Sequence, residues 1–163
     1  MAVFKEKLTR LEGAIHQVLS PLGFKKQKSN WRRSNEELLQ QFSIVSQQLI
    51  ASYSADWGLN VLSFSEDPKP LPHRLHVRWI GQETVKPHKR SLLVSSALDF
   101  ESDFSDEERA KVINQMLVSD VLPCFEAFQT KESVRQMMGD WNFPRRASMF
   151  FNLPKDWWPP DAS

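Results

Sequence analysis

Three segments of this chain alternate apolar and polar residues with a period of two, and this pattern constrains the fold most strongly. We predict strands at roughly Leu38–Gln48, Ala55–Phe64 and Arg74–Ile80. Because successive side chains of a strand point to opposite faces, one face of the sheet should pack on a core while the other meets solvent. Gly58, inside the second segment, indicates a bulge or a close approach of another backbone.

Helices are predicted on both sides of these strands. Residues 3–19 repeat apolar side chains at three- and four-residue spacing, which is typical of an amphipathic helix. Ser105 and Glu108 form a capping-box pattern at the start of a long helix that we extend to about residue 129. Pro123 should kink that helix, and a further short helix is predicted at about Lys131–Met138.

The other segments are less regular. Ser91–Phe100 fits either a strand or a short helix, and we favour the strand. Residues 24–33 predict a short hairpin with its turn at Ser29–Asn30, since serine and asparagine side chains bond nearby backbone groups. Residues 140–163 are rich in proline and aromatic residues, so we expect them to lie extended across the rest of the protein.

Together these elements predict an α+β fold. We expect an antiparallel sheet of four to six strands, with the N-terminal helix and the long C-terminal helix packed on its apolar face. The predicted organisation is a single domain over residues 1–139, followed by an extended aromatic C-terminal tail, residues 140–163, that packs on it. A chain of 163 residues is long enough to form a full core without disulfides.

Composition narrows the classes of function. The net charge of +1 creates no overall field that would attract nucleic acid or membrane. Cys124 is the only cysteine, which excludes an intrachain disulfide and a cysteine-rich zinc site. His73 and His76 are separated by three along a strand and point to opposite faces, so no metal site is predicted. No leader or membrane-spanning stretch is evident, so we expect a cytoplasmic protein.

Two groups of polar residues are candidate binding surfaces. The first is the polar face of the three strands. Because side chains alternate between the two faces of a strand, Gln47, Asn60, His76 and Arg78 should lie on this same face. Amide and guanidinium groups on neighbouring strands suit a carboxylate, a phosphate or a peptide edge. The alternative is that these residues are solvated, or that they bond a loop or the tail.

The second group is the basic hairpin, which consists of Lys25, Lys26, Lys28, Trp31, Arg32 and Arg33. Basic residues interleaved with aromatic ones can grip a nucleic-acid backbone and stack on bases. They also suit an acidic protein surface. The third interpretation is a solvated sheet edge whose charges prevent aggregation.

Short motifs in a fixed order resemble the bacterial domain-of-unknown-function family numbered 4304. The motifs cover roughly residues 8–138 and are Pro21-Leu22-Gly23-Phe24-Lys25-Lys26, Trp31-Arg32-Arg33, Ser46-Gln47-Gln48, Trp57-Gly58-Leu59-Asn60-Val61, Val77-Arg78-Trp79-Ile80-Gly81, Leu122-Pro123 and Thr130-Lys131-Glu132. The chain departs from the family pattern after Leu59-Asn60-Val61, where a glycine is missing, and at His76, which replaces an arginine. The resemblance implies an α+β fold and a bacterial or phage-like source, and it implies no activity.

No catalytic signature, phosphate-binding glycine loop or cofactor motif is present in the sequence. We therefore predict a non-catalytic protein-binding module without a cofactor, for example a bacterial immunity protein that neutralises a toxin. Residues 1–33 carry eight Lys or Arg and two Glu, whereas residues 101–163 carry seven against eleven Asp or Glu. Such regions favour charge-complementary partners. The alternatives are a small-ligand or enzymatic domain that uses the polar face, with His76 as acid or base, and nucleic-acid binding through the basic hairpin.

Overall fold

The central element of the fold is an antiparallel sheet. The computed structural model describes residues 2–47, 51–139 and 153–157. Within these ranges the sheet has five strands in the order of the sequence: β1 (Lys25–Gln27), β2 (Asn30–Ser34), β3 (Leu38–Ser46), β4 (Tyr53–Val61) and β5 (Val77–Ile80). Each strand pairs antiparallel with the next. The predicted α+β fold with an antiparallel sheet is therefore confirmed.

Helical segments precede and follow the sheet. They are α1 (Ala2–Leu19), α2 (Gly81–Thr84), α3 (His88–Leu98), α4 (Asp106–Met116), a π-helical turn (Leu117–Val121), α5 (Leu122–Ala127) and α6 (Lys131–Gly139). Short 3₁₀ turns occupy Ser20–Leu22, Leu62–Phe64, Pro72–Arg74 and Lys155–Trp157. The turn Pro72–Arg74 explains why β5 begins three residues later than predicted.

A row of aromatic side chains forms the centre of the core. Trp31, Phe42, Trp57 and Trp79 are direct cross-strand neighbours on β2 to β5, and none is more than 4% exposed. The ring centroids of Trp57 and Trp79 are 6.5 Å apart. Aromatic cross-strand pairs are among the most stabilising in sheets. The apolar stripe of α1 and the buried apolar residues of α4, Ile113 and Met116, belong to the same core.

The segment Ser91–Phe100, predicted as a strand, is instead mostly the helix α3. Its buried residues Ser91, Val94, Ala97 and Leu98 recur at helical spacing, whereas Leu92 and Leu93 are exposed. Apolar residues at consecutive positions do not favour either period by themselves, so packing decided the outcome.

The helical region after Ser105 begins as predicted but is not continuous. The hydroxyl of Ser105 accepts from the backbone N–H of Glu108, whose carboxylate accepts from the N–H of Ser105. The path then passes through the π turn Leu117–Val121 before α5. Pro123 has no N–H to donate to the carbonyl of Ser119, so the regular hydrogen-bond ladder is interrupted there.

The hairpin of β1 and β2 is confirmed, but its turn lies at Lys28–Ser29 rather than at the predicted Ser29–Asn30. Lys28 adopts a positive φ of 53°. Asn30 pairs with Ser43 in the neighbouring strand, and its side-chain oxygen accepts from the Ser43 hydroxyl at 2.7 Å. Pairing of Asn30 with the sheet therefore moves the turn one residue back.

Most of the predicted tail lies outside the described residues, which include only its part 153–157. Leu153 is buried, and the rings of Trp157 and Phe64 form a T-shaped pair with centroids 5.3 Å apart. Lys131 lies over both rings, and Arg135 donates to the carbonyl of Trp157 at 3.0 Å. This short segment packs on the protein, and the predicted packing of the rest of the tail lies outside the described residues.

Candidate functional site

The four residues of the predicted polar face share one face of the sheet but not one site. Asn60 and Arg78 lie on β4 and β5, and His76 directly precedes β5. Gln47 lies beyond the end of β3 and is exposed. Because Asn60 pairs with Leu39, eight residues of extended chain, roughly 26 Å, separate Gln47 from Asn60. Gln47 is therefore not part of a common site with the other three.

Asn60 and His76 form hydrogen bonds with other residues of the protein. The side-chain oxygen of Asn60 accepts from the N–H of His76 at 2.9 Å, and its amide donates to the hydroxyl of Ser65 at 2.9 Å. His76 Nδ1 accepts from the N–H of Val61, also at 2.9 Å. These bonds close the loop over residues 62–75. They attach Ser65, near the start of the loop, and His76, just after its end, to β4. The two side chains thus have structural partners rather than a free face.

Arg78 is paired with a buried carboxylate. Its Nε and Nη2 both donate to Oδ2 of Asp56, at 3.0 and 2.6 Å. Asp56 is fully buried, whereas the Arg78 side chain is 21% exposed. An isolated buried carboxylate would be strongly unfavourable. The positive charge of the Arg78 guanidinium therefore compensates the buried negative charge of Asp56.

The expectation that this face meets solvent is wrong for a large part of it. Gln41, Ser43, Asp56, Asn60 and His76 are each no more than 4% exposed. The loop after β4 crosses the sheet here: Leu75 is buried with its side chain over Gly58, and the carbonyl of Pro70 accepts from Arg32. Period-two alternation distinguishes the two faces, but it does not reveal a loop that covers one of them.

The stability of this loop closure should depend on pH through His76. Burial lowers the pKa of His76, because protonation would charge a buried ring and place a proton on the Nδ1 that accepts from Val61. His76 therefore binds a proton more readily in the unfolded chain than in the folded protein. The stability that neutral His76 contributes to the folded protein is complete above the unfolded pKa of about 6.5. It is lost as the pH falls from there through the lower folded pKa.

We therefore expect the unfolding free energy to fall with decreasing pH below about 6.5, by at most about 1.4 kcal/mol per pH unit for this one group. Urea unfolding at a series of pH values measures it. The substitution His76→Gln should flatten the profile in this range, whereas His73→Gln, at an exposed position, should leave it unchanged. Equal pH profiles for wild type and His76→Gln would contradict the prediction.

A basic groove lies beside the edge strand β1. We use this name for a cavity of about 540 Å³ lined by Gly23, Lys25, Lys26, Gln27, Arg32, Arg33, Ser34, Leu39, Pro68 and Lys69. Five of these residues are Lys or Arg, and the described lining contains no Asp or Glu. Four of the five belong to the predicted basic hairpin. The groove therefore concentrates positive charge in a concave surface.

Arg32 is held in the basic groove by three hydrogen bonds to neutral groups. Its Nε donates to Oε1 of Gln41 at 2.6 Å, while Nη1 donates to Oε1 of Gln27 at 3.4 Å and Nη2 to the carbonyl of Pro70 at 3.3 Å. Burial lowers the pKa of Arg32, and the charge of Asp67 opposes this effect. Within the described residues Arg32 has no ion pair.

Arg33 and Lys26 are more occupied with the fold. Arg33 donates to Gln40 and to the carbonyl of Leu22, and its guanidinium lies 4.6 Å from the Phe24 ring centre. Burial lowers the pKa of Arg33. Lys26 forms an ion pair with Glu12 at 2.8 Å.

Three further side chains lie elsewhere than the predicted basic hairpin implies. Lys28 is exposed in the turn and does not line the groove. Trp31 belongs to the core and is 0% exposed, so its predicted place at a binding surface is wrong. Lys69 lines the groove but was not predicted, because it is 37 residues from Arg32 in the sequence and lies in the loop after β4.

Other chemically reactive groups lie among the described residues. Burial raises the pKa of the Cys124 thiol to about 12, so this thiol is unreactive at neutral pH. Within the described ranges, no three His, Cys, Asp or Glu residues are placed to hold a metal ion. The same part of the chain contains no helix with the length and apolarity needed to cross a membrane.

Comparison with known proteins provides no relative: no family model, curated protein or solved structure matches this chain significantly. The resemblance to the family numbered 4304 therefore stays a prediction.

Proposed function

We propose that the protein is a non-catalytic module that binds an acidic surface of another protein at the basic groove. The observation that carries this proposal is the concave surface with five Lys or Arg and no described acidic lining residue. By contrast, Asn60, His76 and Arg78 on the polar face are engaged with neighbouring protein groups. The groove is therefore better suited than the polar face to receive a partner.

Charge on the rim of such a surface supports fast and selective association. Lys25 and Lys69 contribute flexible ammonium groups, and Arg32 contributes a held guanidinium. Complementary potentials accelerate encounter with an acidic partner and penalise basic ones. A bacterial immunity protein that captures an acidic face of a toxin is one form that this function can take.

A protein partner fits the groove better than nucleic acid does. Sequence-tolerant binding of single strands combines a basic groove with aromatic side chains on which bases stack. Here the aromatic residues between the basic ones, Phe24 and Trp31, are 2% and 0% exposed. The cations are available for contact, but these two aromatic faces are not.

Reversing two charges should test the proposal. We expect the double variant Lys25→Glu and Lys69→Glu to bind the acidic partner at least about tenfold more weakly, because it replaces attraction with repulsion at the groove. A matched control is Lys5→Glu with Lys111→Glu, which changes the net charge equally at exposed positions of α1 and α4. Within the described residues, neither pair removes a side-chain contact that supports the groove.

The measurement is affinity capture from the native lysate with wild type and both variants as baits, followed by titration of the purified partner. An acidic protein should be retained stoichiometrically by wild type and by the control, lost with the groove variant, and released by added salt. Equal capture by the groove variant, or retention of nucleic acid in place of a protein, would count against the proposal.

A further inference from the structure

We infer that Arg32 is the residue of the basic groove that binds a carboxylate side chain of the partner directly, through a two-pronged hydrogen bond. This inference rests on the proposed function and names its central contact. Arg32 is half-buried, has no ion pair within the described residues, and is held from below by a buried network. Arg33 is held in a similar way by the buried Gln40, but its guanidinium also lies over the Phe24 ring.

The network under Arg32 explains why its position is precise. Gln41 is fully buried, and its Oε1 accepts from Nε of Arg32 at 2.6 Å. The amide of Gln41 in turn donates to the hydroxyl of Ser43 at 3.0 Å and contacts Asn30 at 3.4 Å. Ser43 donates to Asn30 at 2.7 Å. Binding groups supported by such a second layer of hydrogen bonds are pre-organised for a ligand.

The remaining donors of Arg32 suit a carboxylate. A guanidinium has five N–H groups, and three of those of Arg32 have protein acceptors. Within the described residues, one N–H on each terminal nitrogen has no acceptor, and two such donors can meet the two oxygens of a carboxylate. Lysine cannot reproduce this geometry, because its ammonium is a point charge on a flexible stem.

An anion would also relieve a repulsion within the sheet. Lys25 lies directly opposite Arg32 in the β1–β2 pair. Like charges at directly opposed positions destabilise a sheet. Asp67 acts electrostatically on Arg32 but forms no ion pair with it, and its Oδ1 accepts from the N–H of Lys69. A carboxylate between Lys25 and Arg32 would balance both charges at once.

The test uses a hexaglutamate peptide as the probe and isothermal titration calorimetry on the full chain. We expect Arg32→Lys, which keeps the charge, to weaken hexaglutamate binding about tenfold, since it removes the paired donors. The matched control Lys28→Arg should change the affinity less than about twofold, because Lys28 is exposed in the turn and does not line the groove. Thermal unfolding checks that each variant is folded.

A second variant tests the supporting role of Gln41 without changing any charge. Gln41→Met should weaken hexaglutamate binding several-fold and alter the NMR signal of the Arg32 Nε–H, because its acceptor is gone. In wild type, that signal should shift when hexaglutamate is added. A purely structural role of Gln41 would lower the melting temperature but leave the affinity unchanged, and this would overturn its assignment as a positioning residue.

The outcomes separate this inference from the proposed function. If Lys25→Glu with Lys69→Glu abolishes hexaglutamate binding while Arg32→Lys leaves it unchanged, the groove binds acidic partners but Arg32 is not the carboxylate clamp. If neither variant changes the binding, both proposals fail. Tighter binding of inorganic phosphate than of hexaglutamate, at equal ionic strength, would overturn the choice of a carboxylate.

Discussion

Replacing Arg109 by alanine is expected to lower the free energy of unfolding by about 3–5 kcal/mol. Arg109 is 0% exposed although it is charged. Its Nη1 donates to the carbonyls of Ala97 and Asp99 at 2.7 and 2.6 Å, and its Nη2 donates to the carbonyl of Ser102 at 2.9 Å. The guanidinium also lies 5.1 Å from the ring centre of Phe100.

The size of this effect follows from what the substitution leaves behind. Three buried or partly buried carbonyls at the end of α3 and in the next loop would each lose a donor, although that of Asp99 keeps the hydroxyl and N–H of Ser102. A cavity would also remain beside the core. The variant Arg109→Lys should recover only part of the loss, because one ammonium cannot reach all of these acceptors in the guanidinium geometry.

Chemical denaturation followed by circular dichroism measures the change. Lys111→Ala is the matched control, because Lys111 is an exposed cation on the same helix, and its effect should stay within about 0.5 kcal/mol. A loss of less than about 1 kcal/mol for Arg109→Ala would show that the three carbonyls find other partners.

Gly58→Ala is expected to destabilise the protein by about 3 kcal/mol or more, a large effect for the addition of one methyl group. A β-carbon at position 58 would lie 2.2 Å from the carbonyl oxygen of Val77 and 2.8 Å from Cδ1 of Leu75. The first contact is with backbone of the paired strand, so the strands β4 and β5 would have to separate or shift. Of the two alternatives predicted at Gly58, a bulge or a close approach of another backbone, the structure shows the close approach.

Gly13→Ala provides a control of opposite sign. Gly13 lies within α1, and a β-carbon there would meet nothing within 4 Å. Alanine favours the helix over glycine, so this variant should be more stable by about 0.5–1 kcal/mol. Comparison of the two melting temperatures separates the effect of crowding from that of glycine as such. Equal melting temperatures for Gly58→Ala and wild type would contradict the contact geometry.

The sequence allowed a good prediction of the fold because the relevant signals are local. Alternation in β3 and β4 places Phe42 and Trp57 on the same face, and these two residues pair directly in the structure. The capping box at Ser105 likewise depends on groups three residues apart. Local signals failed for α3, where Leu92 and Leu93 are exposed and the burial of Val94 decides the helical face.

The candidate site was less predictable. The basic hairpin contributes Lys25 and Arg32 to the groove as expected, but Lys69 comes from a loop that is distant in sequence. Asn60 and His76 were predicted to form a binding surface because alternation places both on the polar face. Their hydrogen bonds instead close the loop after β4. Residue type and spacing do not distinguish a polar group that awaits a ligand from one that already has a protein partner.

By itself, the sequence determined which side chains face which side of the sheet, because the period of a strand follows from covalent geometry. It also determined that Lys25 and Arg32 fall in one basic hairpin. Only the tertiary structure decided that a loop covers the polar face, that Lys69 joins the groove, and that Gln41 holds Arg32 in place. These features depend on contacts between residues far apart in the chain, and the free energy of such contacts is set by packing and burial rather than by local pattern.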